Sequence, residues 1–315
     1  MACGEQFTKE QGYVLSVPAH FPLPEIPADN QLTVERVELG RKLFFDPNLS
    51  LDSSVSCASC HLPTLAFADN QAVTPGVHGE RGSRNAPSLA NVAYHPYFFR
   101  EGGNPTLEMQ ILGPLQEPHE MGMKISDLRE RLLANPEYVQ LAQEAYGREV
   151  GAYVLTRAIA AYERTLISGT SSFDAYFQGD SASLPADVLA GWALFSSERL
   201  GCANCHGGFD FSNYAMENNG SKAIYIDWGR YRVTSDSADI GKFKVPSLRN
   251  VALTAPYMHD GSYADLAQVI EHYNQGGNSH KNQSPHIRPL HLTEVEKAQL
   301  LAFLKSLTDN SLADR

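Results

Sequence analysis

Apolar residues recur with a helical period in several separate stretches of the chain. Thr33 is typical of a helix N-cap, and the apolar residues Val34, Val37, Leu39 and Leu43 predict a helix that ends before Asp46. The same period predicts further helices over residues 106–112, 125–133, 138–146, 152–168, 184–196, 263–273 and 293–307. The pattern therefore predicts a mainly α fold.

Other stretches lack this period. Residues 1–30 contain Pro18, Pro22, Pro24 and Pro27, which exclude a regular helix and predict an extended N-terminal arm. Residues 62–105 and 207–262 are rich in loop-forming residues, and irregular chain of this length is uncommon unless it serves a function. We expect these loops to pack around a ligand.

Composition narrows the class of protein. The 315 residues are 43% hydrophobic and 19% charged, which is typical of a globular chain of two domains. The net charge of −11 disfavours binding to a nucleic-acid backbone and leaves room for a basic redox partner. No stretch approaches the roughly 18 consecutive apolar residues of a membrane span.

Two short cysteine motifs carry the candidate chemistry. The sequence reads CASCH over Cys57, Cys60 and His61, and CANCH over Cys202, Cys205 and His206. A C-x-x-C-H run attaches a c-type haem through two thioethers, and its histidine ligates the iron. One such motif could instead be a zinc half-site, a redox dithiol or a disulfide. Two copies about one domain length apart, which use four of the 5 cysteines, favour two covalent haems.

Several blocks around these motifs resemble the bacterial di-haem cytochrome c peroxidase family, which includes the MauG-type enzymes. The blocks are LGRKLFFD at 39–46, RNAPSL at 84–89, residues 110–120, KVPSLRNV at 244–251 and LTAPYMHDG at 253–261. The resemblance implies two cytochrome c-like helical domains, each with one covalent haem c. We place the arm at 1–30, the peroxidatic haem domain at 31–168 and the electron-transfer haem domain at 169–315.

The resemblance also assigns roles to single residues. It implies that the His61 iron meets peroxide, and that Glu120 moves the peroxide proton with Gln110 and Pro114 beside it. The His206 iron would pass electrons, and Tyr273 would be its sixth ligand. Met258 and His272 remain alternative ligands for that iron.

Further features of the family map onto this sequence less directly. The tryptophan between the haems is absent, and Phe99 or Arg100 stands there. His78 lies near the position of a removable ligand of the peroxidatic iron. The resemblance implies an interdomain calcium ion, with its ligands at Asn85, Thr254 and Pro256.

These features favour reduction of hydrogen peroxide with electrons from a small cytochrome c or cupredoxin. The alternatives are MauG-like oxidation of a Trp or Tyr residue on a partner protein, and a non-catalytic di-haem electron carrier. Because c-type haem is attached outside the bacterial cytoplasm, we expect a periplasmic protein from which an export signal has been removed. Cys3, near the start of the chain, predicts a lipid anchor as an alternative to a spare thiol.

Overall fold

The fold is taken from a computed structural model that describes residues 12–182 and 184–315. In the described part of the N-terminal arm, the chain runs without a helix as far as the 3-10 turn Ala28–Asn30. The predicted lipid anchor at Cys3 lies outside the described residues. None of the helices within the described ranges has the length and apolar character needed to cross a membrane.

Helices dominate the described structure. In chain order they are α1 Val34–Phe44, α2 Cys57–Cys60, α3 Leu107–Gln110, α4 Leu112–Gln116, α5 Ile125–Leu133, α6 Pro136–Tyr146, α7 Ala152–Glu163, α8 Ser172–Phe177, α9 Ala186–Phe195, α10 Tyr231–Thr234, α11 Leu266–Gln275 and α12 Glu294–Ser306. Thr33 caps α1, because its side chain accepts a hydrogen bond from the backbone N–H of Arg36 at 3.2 Å. The mainly α fold and the helix at 125–133 are confirmed.

One predicted helix is too long. The sequence pattern extends α7 to residue 168, but the helix ends at Glu163. After the helix the chain tightens, because the backbone N–H groups of Thr165 and Leu166 donate to the carbonyls of Tyr162 and Glu163, three residues back. The N–H groups of residues 168 and 169 then donate to the side chains of Asn91 and Asp309, each at 2.8 Å.

The sequence pattern also missed small elements. Helix α8 begins with a capping box between Ser171 and Asp174. The strands β1 Met216–Glu217 and β2 Phe243–Lys244 pair in an antiparallel hairpin. At two residues each, these strands are too short to show a period.

The interior has two hydrophobic clusters, and each is built on one pair of helices. The first cluster is formed by residues between 15 and 167 together with Leu312, and the second by residues between 173 and 307. Helix α1 meets α7 at Gly40, where a Cβ atom would lie 1.8 Å from the carbonyl oxygen of Ala158. Helix α9 meets α12 at Gly191, where a Cβ atom would lie 2.0 Å from the carbonyl oxygen of Gln299. Both pairs of helices therefore pack closely because a glycine stands at the contact.

A structural repeat relates the two halves. Residues 84–116 and 243–275 align without a gap, and their backbones share the features that follow. Each copy has an Asn in the left-handed conformation, Asn91 or Asn250, and continues into a 3-10 turn, Val92–Tyr94 or Val251–Leu253. A β-bridge follows, between Phe98 and Asn104 or between Tyr257 and Tyr263. Each copy then starts a helix, Leu107–Gln110 capped by Thr106 or Leu266–Gln275 capped by Asp265. One pattern of chain is thus used twice.

The two copies meet around an approximate two-fold axis. The backbone N–H of Asn85 donates to the carbonyl of His259 at 2.9 Å, and that of Lys244 donates to the carbonyl of Arg100 at 2.6 Å. Asn85 is the counterpart of Lys244 in the repeat, and Arg100 is the counterpart of His259. The two hydrogen bonds are therefore equivalent, as in a symmetric dimer interface.

Candidate active site

The two cysteine motifs present their thiols on short turns of helix. Helix α2 carries Cys57 and Cys60, and the 3-10 turn Cys202–Asn204 leads to Cys205. All four thiols are free of disulfide bonds. The spacing places the two thiols of each motif one turn apart, as attachment to two vinyl groups of one porphyrin requires.

The two motif histidines are held in the same way. The Nδ1 atom of His61 lies 2.9 Å from the carbonyl oxygen of Phe67, and that of His206 lies 3.0 Å from the carbonyl oxygen of Phe211. A Nδ1–H that donates to a carbonyl leaves Nε2 free to ligate a metal. Burial lowers the pKa of both imidazoles, so the neutral form that can bind iron is favoured.

Buried polar atoms without partners support a bound group near the first motif. Glu163 Oε2 and Tyr162 Oη are buried and lack a hydrogen-bond partner among the described residues. Burial raises the pKa of Glu163 to about 8, and the charge of Glu163 contributes to the raised pKa of the Cys57 thiol. Because such atoms are nearly always paired in folded proteins, these residues fit a cofactor that has polar edges, such as haem c.

Glu120 lies close to the first motif. Among the causes that raise the thiol pKa values of Cys57 and Cys60, burial is the largest, and the Glu120 charge contributes to both. Much of the Glu120 residue is solvent-accessible, yet its carboxyl group has enough protein around it for burial to raise its pKa. The Glu117 charge adds to this rise, and His119 opposes it. A raised pKa suits a carboxyl group that exchanges protons near neutral pH.

Pro114 and Gln110 come to the same region. The backbone N–H of Met121, the residue after Glu120, donates to the carbonyl of Pro114 at 3.2 Å. Ile111 joins α3 to α4 with helical dihedral angles, so Gln110 and Pro114, four residues apart, lie on one face. The structure therefore brings Pro114 beside the Glu120 segment and leaves the contact of the Gln110 side chain with Glu120 a prediction.

Tyr273 and Met258 lie together near the second motif. The Asn219 side-chain Nδ2 lies 3.1 Å from Met258 Sδ and 3.5 Å from Tyr273 Oη. The pKa of Tyr273 is raised to about 12, mainly by burial, with a contribution from the Cys205 and Cys202 thiols. Sequence reasoning missed Asn219, which lies in an irregular loop without a motif.

The other two candidate histidines have different surroundings. His272 uses both ring nitrogens, because Nδ1 lies 3.2 Å from Tyr263 Oη and Nε2 lies 2.9 Å from the carbonyl oxygen of Asn219. The His78 side chain is 62% exposed and lies 3.4 Å from Asp52. These contacts make His272 the least available of the three predicted ligands, and they leave ligation by His78 a prediction.

The repeat shows how the two sites differ. Pro114 in the first half is the counterpart of Tyr273, and Phe99 is the counterpart of Met258. Phe99 packs so closely on Gly113 that a Cβ atom there would lie 2.6 Å from the ring. Proline and phenylalanine have no atom that can ligate iron, whereas tyrosine and methionine do. At these two positions, therefore, only the second half has residues that could ligate iron.

One of the three predicted calcium ligands already has a cationic partner. Asn85 Oδ1 accepts a hydrogen bond from the Arg100 guanidinium at 2.8 Å, and the Asn85 carbonyl accepts two more at 3.1 and 2.9 Å. Thr254 and Pro256 would contribute backbone carbonyls, and their binding of calcium stays a prediction.

Comparisons with known proteins give consistent results. The di-haem cytochrome c peroxidase family profile matches residues 34–182. The methylamine utilization protein MauG of Methylorubrum extorquens is 38% identical, over 92% of this chain and 83% of its own length. The cytochrome c551 peroxidase of Nitrosomonas europaea is 35% identical, over 92% of this chain and 85% of its own length. The crystal structure of a MauG-like protein associated with microbial copper homeostasis superposes with a TM-score of 0.90 at 35% identity, over 96% of this chain and 97% of that one.

Proposed function

The chain belongs to the di-haem cytochrome c peroxidase family, and from that premise we propose that it reduces hydrogen peroxide in the periplasm. His61 would hold the haem at which peroxide is reduced, and His206 would hold the haem that supplies the electrons. A small cytochrome c or cupredoxin would be the electron donor. The observation that carries this proposal is the pair Pro114 and Tyr273, equivalent in the repeat, of which only Tyr273 can close an iron site.

The chain's own residues handle the protons. The bound haems supply the iron that binds peroxide and the route for the two electrons. Reduction of hydrogen peroxide consumes two electrons and two protons and yields two water molecules. Glu120 takes the proton from the oxygen nearer the iron and gives it to the leaving oxygen, and Gln110 orients the peroxide by hydrogen bonding. The raised pKa of Glu120, caused first by burial, suits this exchange.

The core structure supports the proposed domain division at residue 168. The first hydrophobic cluster ends at Ile167, except for Leu312, and the second begins at Phe173. Each cluster contains one cysteine motif at its edge: Cys57 packs against the first and Cys202 against the second. This arrangement supports the proposal of one covalent haem per domain.

A second candidate function is MauG-like oxidation of a Trp or Tyr residue on a partner protein. It is favoured by Tyr273, whose oxygen lies beside the second motif with Asn219 as its neighbour. A phenolate ligand stabilises higher oxidation states of iron, which oxidation of a protein side chain requires. A pure electron carrier is disfavoured, because a carrier does not need Glu120 and an open iron position.

The test is peroxide turnover by the holoenzyme carrying Glu120→Gln. We expect both haems to be retained and turnover to fall by about a hundredfold or more, the scale for removal of an acid–base group. Glu130→Gln, an exposed change on α5, is the matched control and should keep full turnover.

The pH profile gives a second measure of the same variant. Because Glu120 must be unprotonated to accept the first proton, wild-type turnover should fall as the pH drops through its raised pKa, at a midpoint above the ordinary 4.5. Glu120→Gln should remove this acid limb. Full activity with an unchanged acid limb would eliminate Glu120 from the mechanism.

A further inference from the structure

A buried guanidinium lies at the interface between the two copies of the repeat. Arg100 donates from Nε and Nη2 to the Asn85 carbonyl and from Nη2 to Asn85 Oδ1. Asn85 is itself fixed, because its Nδ2 donates to the Gln71 carbonyl at 2.9 Å. Burial, together with the Arg84 charge, lowers the pKa of Arg100 to about 10, so the guanidinium remains charged at neutral pH.

A second basic group occupies the equivalent place in the other copy. Lys244 Nζ donates to the Tyr97 carbonyl at 2.9 Å and lies 3.1 Å from His95 Nδ1. Burial, together with the Arg100 charge, lowers the pKa of Lys244 to about 7, so its amine is only partly protonated at neutral pH. Lys244, His95 and Tyr97 are the counterparts in the repeat of Asn85, Thr254 and Pro256, the three predicted calcium ligands. On one side of the axis, then, a lysine amine from the chain itself stands where the predicted ion would stand on the other.

The acidic side chains around this interface already have cationic partners. Arg84 pairs with Glu101 and, at 2.6 Å, with Asp227. Lys222 pairs with Asp260 at 2.8 Å. The three carboxylates therefore face the positive charges of Arg84, Arg100 and Lys222. No carboxylate among them is free to balance a divalent ion, which prefers several oxygen ligands that include carboxylates.

We propose that the Arg100 guanidinium takes the place of the predicted divalent cation, and that the interface between the two halves is held without calcium. The Arg100 side chain thus joins the halves through Asn85. Arg100 is accordingly a positioning residue, and this role is independent of peroxide turnover.

The direct test is metal content of the wild-type holoenzyme. The protein is equilibrated with about 1 mM calcium, the range of weak extracellular sites, and its bound calcium is measured by mass spectrometry. We expect well below one calcium per chain, and no change in melting temperature or haem spectrum on addition of EGTA. One tightly held calcium per chain that is lost in Asn85→Ala would overturn the proposal.

Two variants test the structural role of the guanidinium. Arg100→Met leaves the Asn85 oxygens buried without their donor, and we expect its melting temperature to fall by at least about 5 °C. Lys222→Met removes a cation of the same interface whose ion pair is about one-third exposed, and we expect a fall of no more than about 2 °C. Equal melting temperatures for the two variants would contradict the role of Arg100, and the calcium content of the wild type decides the question without either variant.

Discussion

At one position of the repeat, the two halves differ in whether the residue could ligate iron. There the first half has Pro114 and the second half has Tyr273. Asn219 lies within 3.5 Å of the Tyr273 oxygen and 3.1 Å from the sulfur of Met258, so both candidate ligands are in place. The geometry of the chain alone therefore permits either residue to bind the His206 iron, and a measurement on the holoenzyme must choose between them.

Replacement of each candidate ligand separates the two. A tyrosinate ligand gives a low-spin ferric haem of low potential, whereas a methionine ligand raises the potential and adds a near-infrared sulfur-to-iron band. We expect Tyr273→Phe to alter the low-spin ferric spectrum and Met258→Leu to leave it unchanged. A sulfur band in the wild type that disappears in Met258→Leu alone would refute the tyrosine assignment.

Single residues were predictable where they belong to a contiguous motif. His61 and His206 follow from the spacing of the cysteines, and the resemblance placed Glu120 in a block with Gln110. Asn219 and Arg100 were not assigned contacts, because their partners, Tyr273 and Asn85, are distant in sequence and meet only after the two halves fold together.

At the scale of elements, each half depends on one glycine between two helices. Glycine inside a helix normally costs about 1 kcal/mol relative to alanine, so Gly→Ala in α9 would ordinarily stabilise the protein. At Gly191 the added Cβ would lie 2.0 Å from the Gln299 carbonyl oxygen, a distance that forces α9 and α12 apart. Close packing therefore outweighs helix propensity at this position.

We accordingly expect Gly191→Ala to lower the free energy of unfolding by about 1–3 kcal/mol, the range for overpacking a core. The measurement is chemical denaturation of the holoenzyme. Gly82→Ala is the matched control, because a Cβ atom there would meet nothing within 4 Å. An unchanged or raised stability for Gly191→Ala would show that the helices can separate at no cost.

Helix existence was easier to predict than helix ends. The period of apolar residues located α1, α5 and α12, whereas α7 ends five residues before the pattern does. After tight turns at Thr165 and Leu166, the backbone N–H groups of residues 168 and 169 donate to two side chains, those of Asn91 and Asp309. Both are far from α7 in sequence, so a local pattern contains no sign of them.

At the scale of the whole molecule, buried polar contacts at Asp174 tie the second half to the N-terminal arm, because His20 Nε2 lies 2.9 Å from the Asp174 carboxylate. Arg249 donates to both carboxylate oxygens of Asp174, at 2.9 and 3.0 Å, and also donates to the Phe209 carbonyl. Burial alone would raise the pKa of Asp174, but the Arg249 charge and the hydrogen bonds to the carboxylate together outweigh burial and lower the pKa. The stabilisation from this pair is therefore present above the unfolded pKa of about 4 and is lost as the pH falls through the folded value.

The division into two helical halves could be predicted from the sequence, because each half has its own cysteine motif and its own apolar helices. The approximate two-fold relation between residues 84–116 and 243–275 was not predicted. Ten of the 33 aligned residues are identical, among them PSL at 87–89 and 246–248 and NVA at 91–93 and 250–252, so a self-comparison of the sequence would have revealed the repeat. The sequence does not show that the two copies pack against each other, because the hydrogen bonds from Asn85 to His259 and from Lys244 to Arg100 join residues far apart in the chain.

The central claim is that one iron site is open, beside Pro114, and the other closed, beside Tyr273. The most direct measurement is electron paramagnetic resonance of the ferric holoenzyme, after its intact mass has shown two haems per chain. We expect one high-spin and one low-spin signal in equal amounts, with one equivalent of hydrogen peroxide changing the high-spin signal first. Two low-spin signals that peroxide leaves unchanged, or a mass that shows fewer than two haems, would contradict this account.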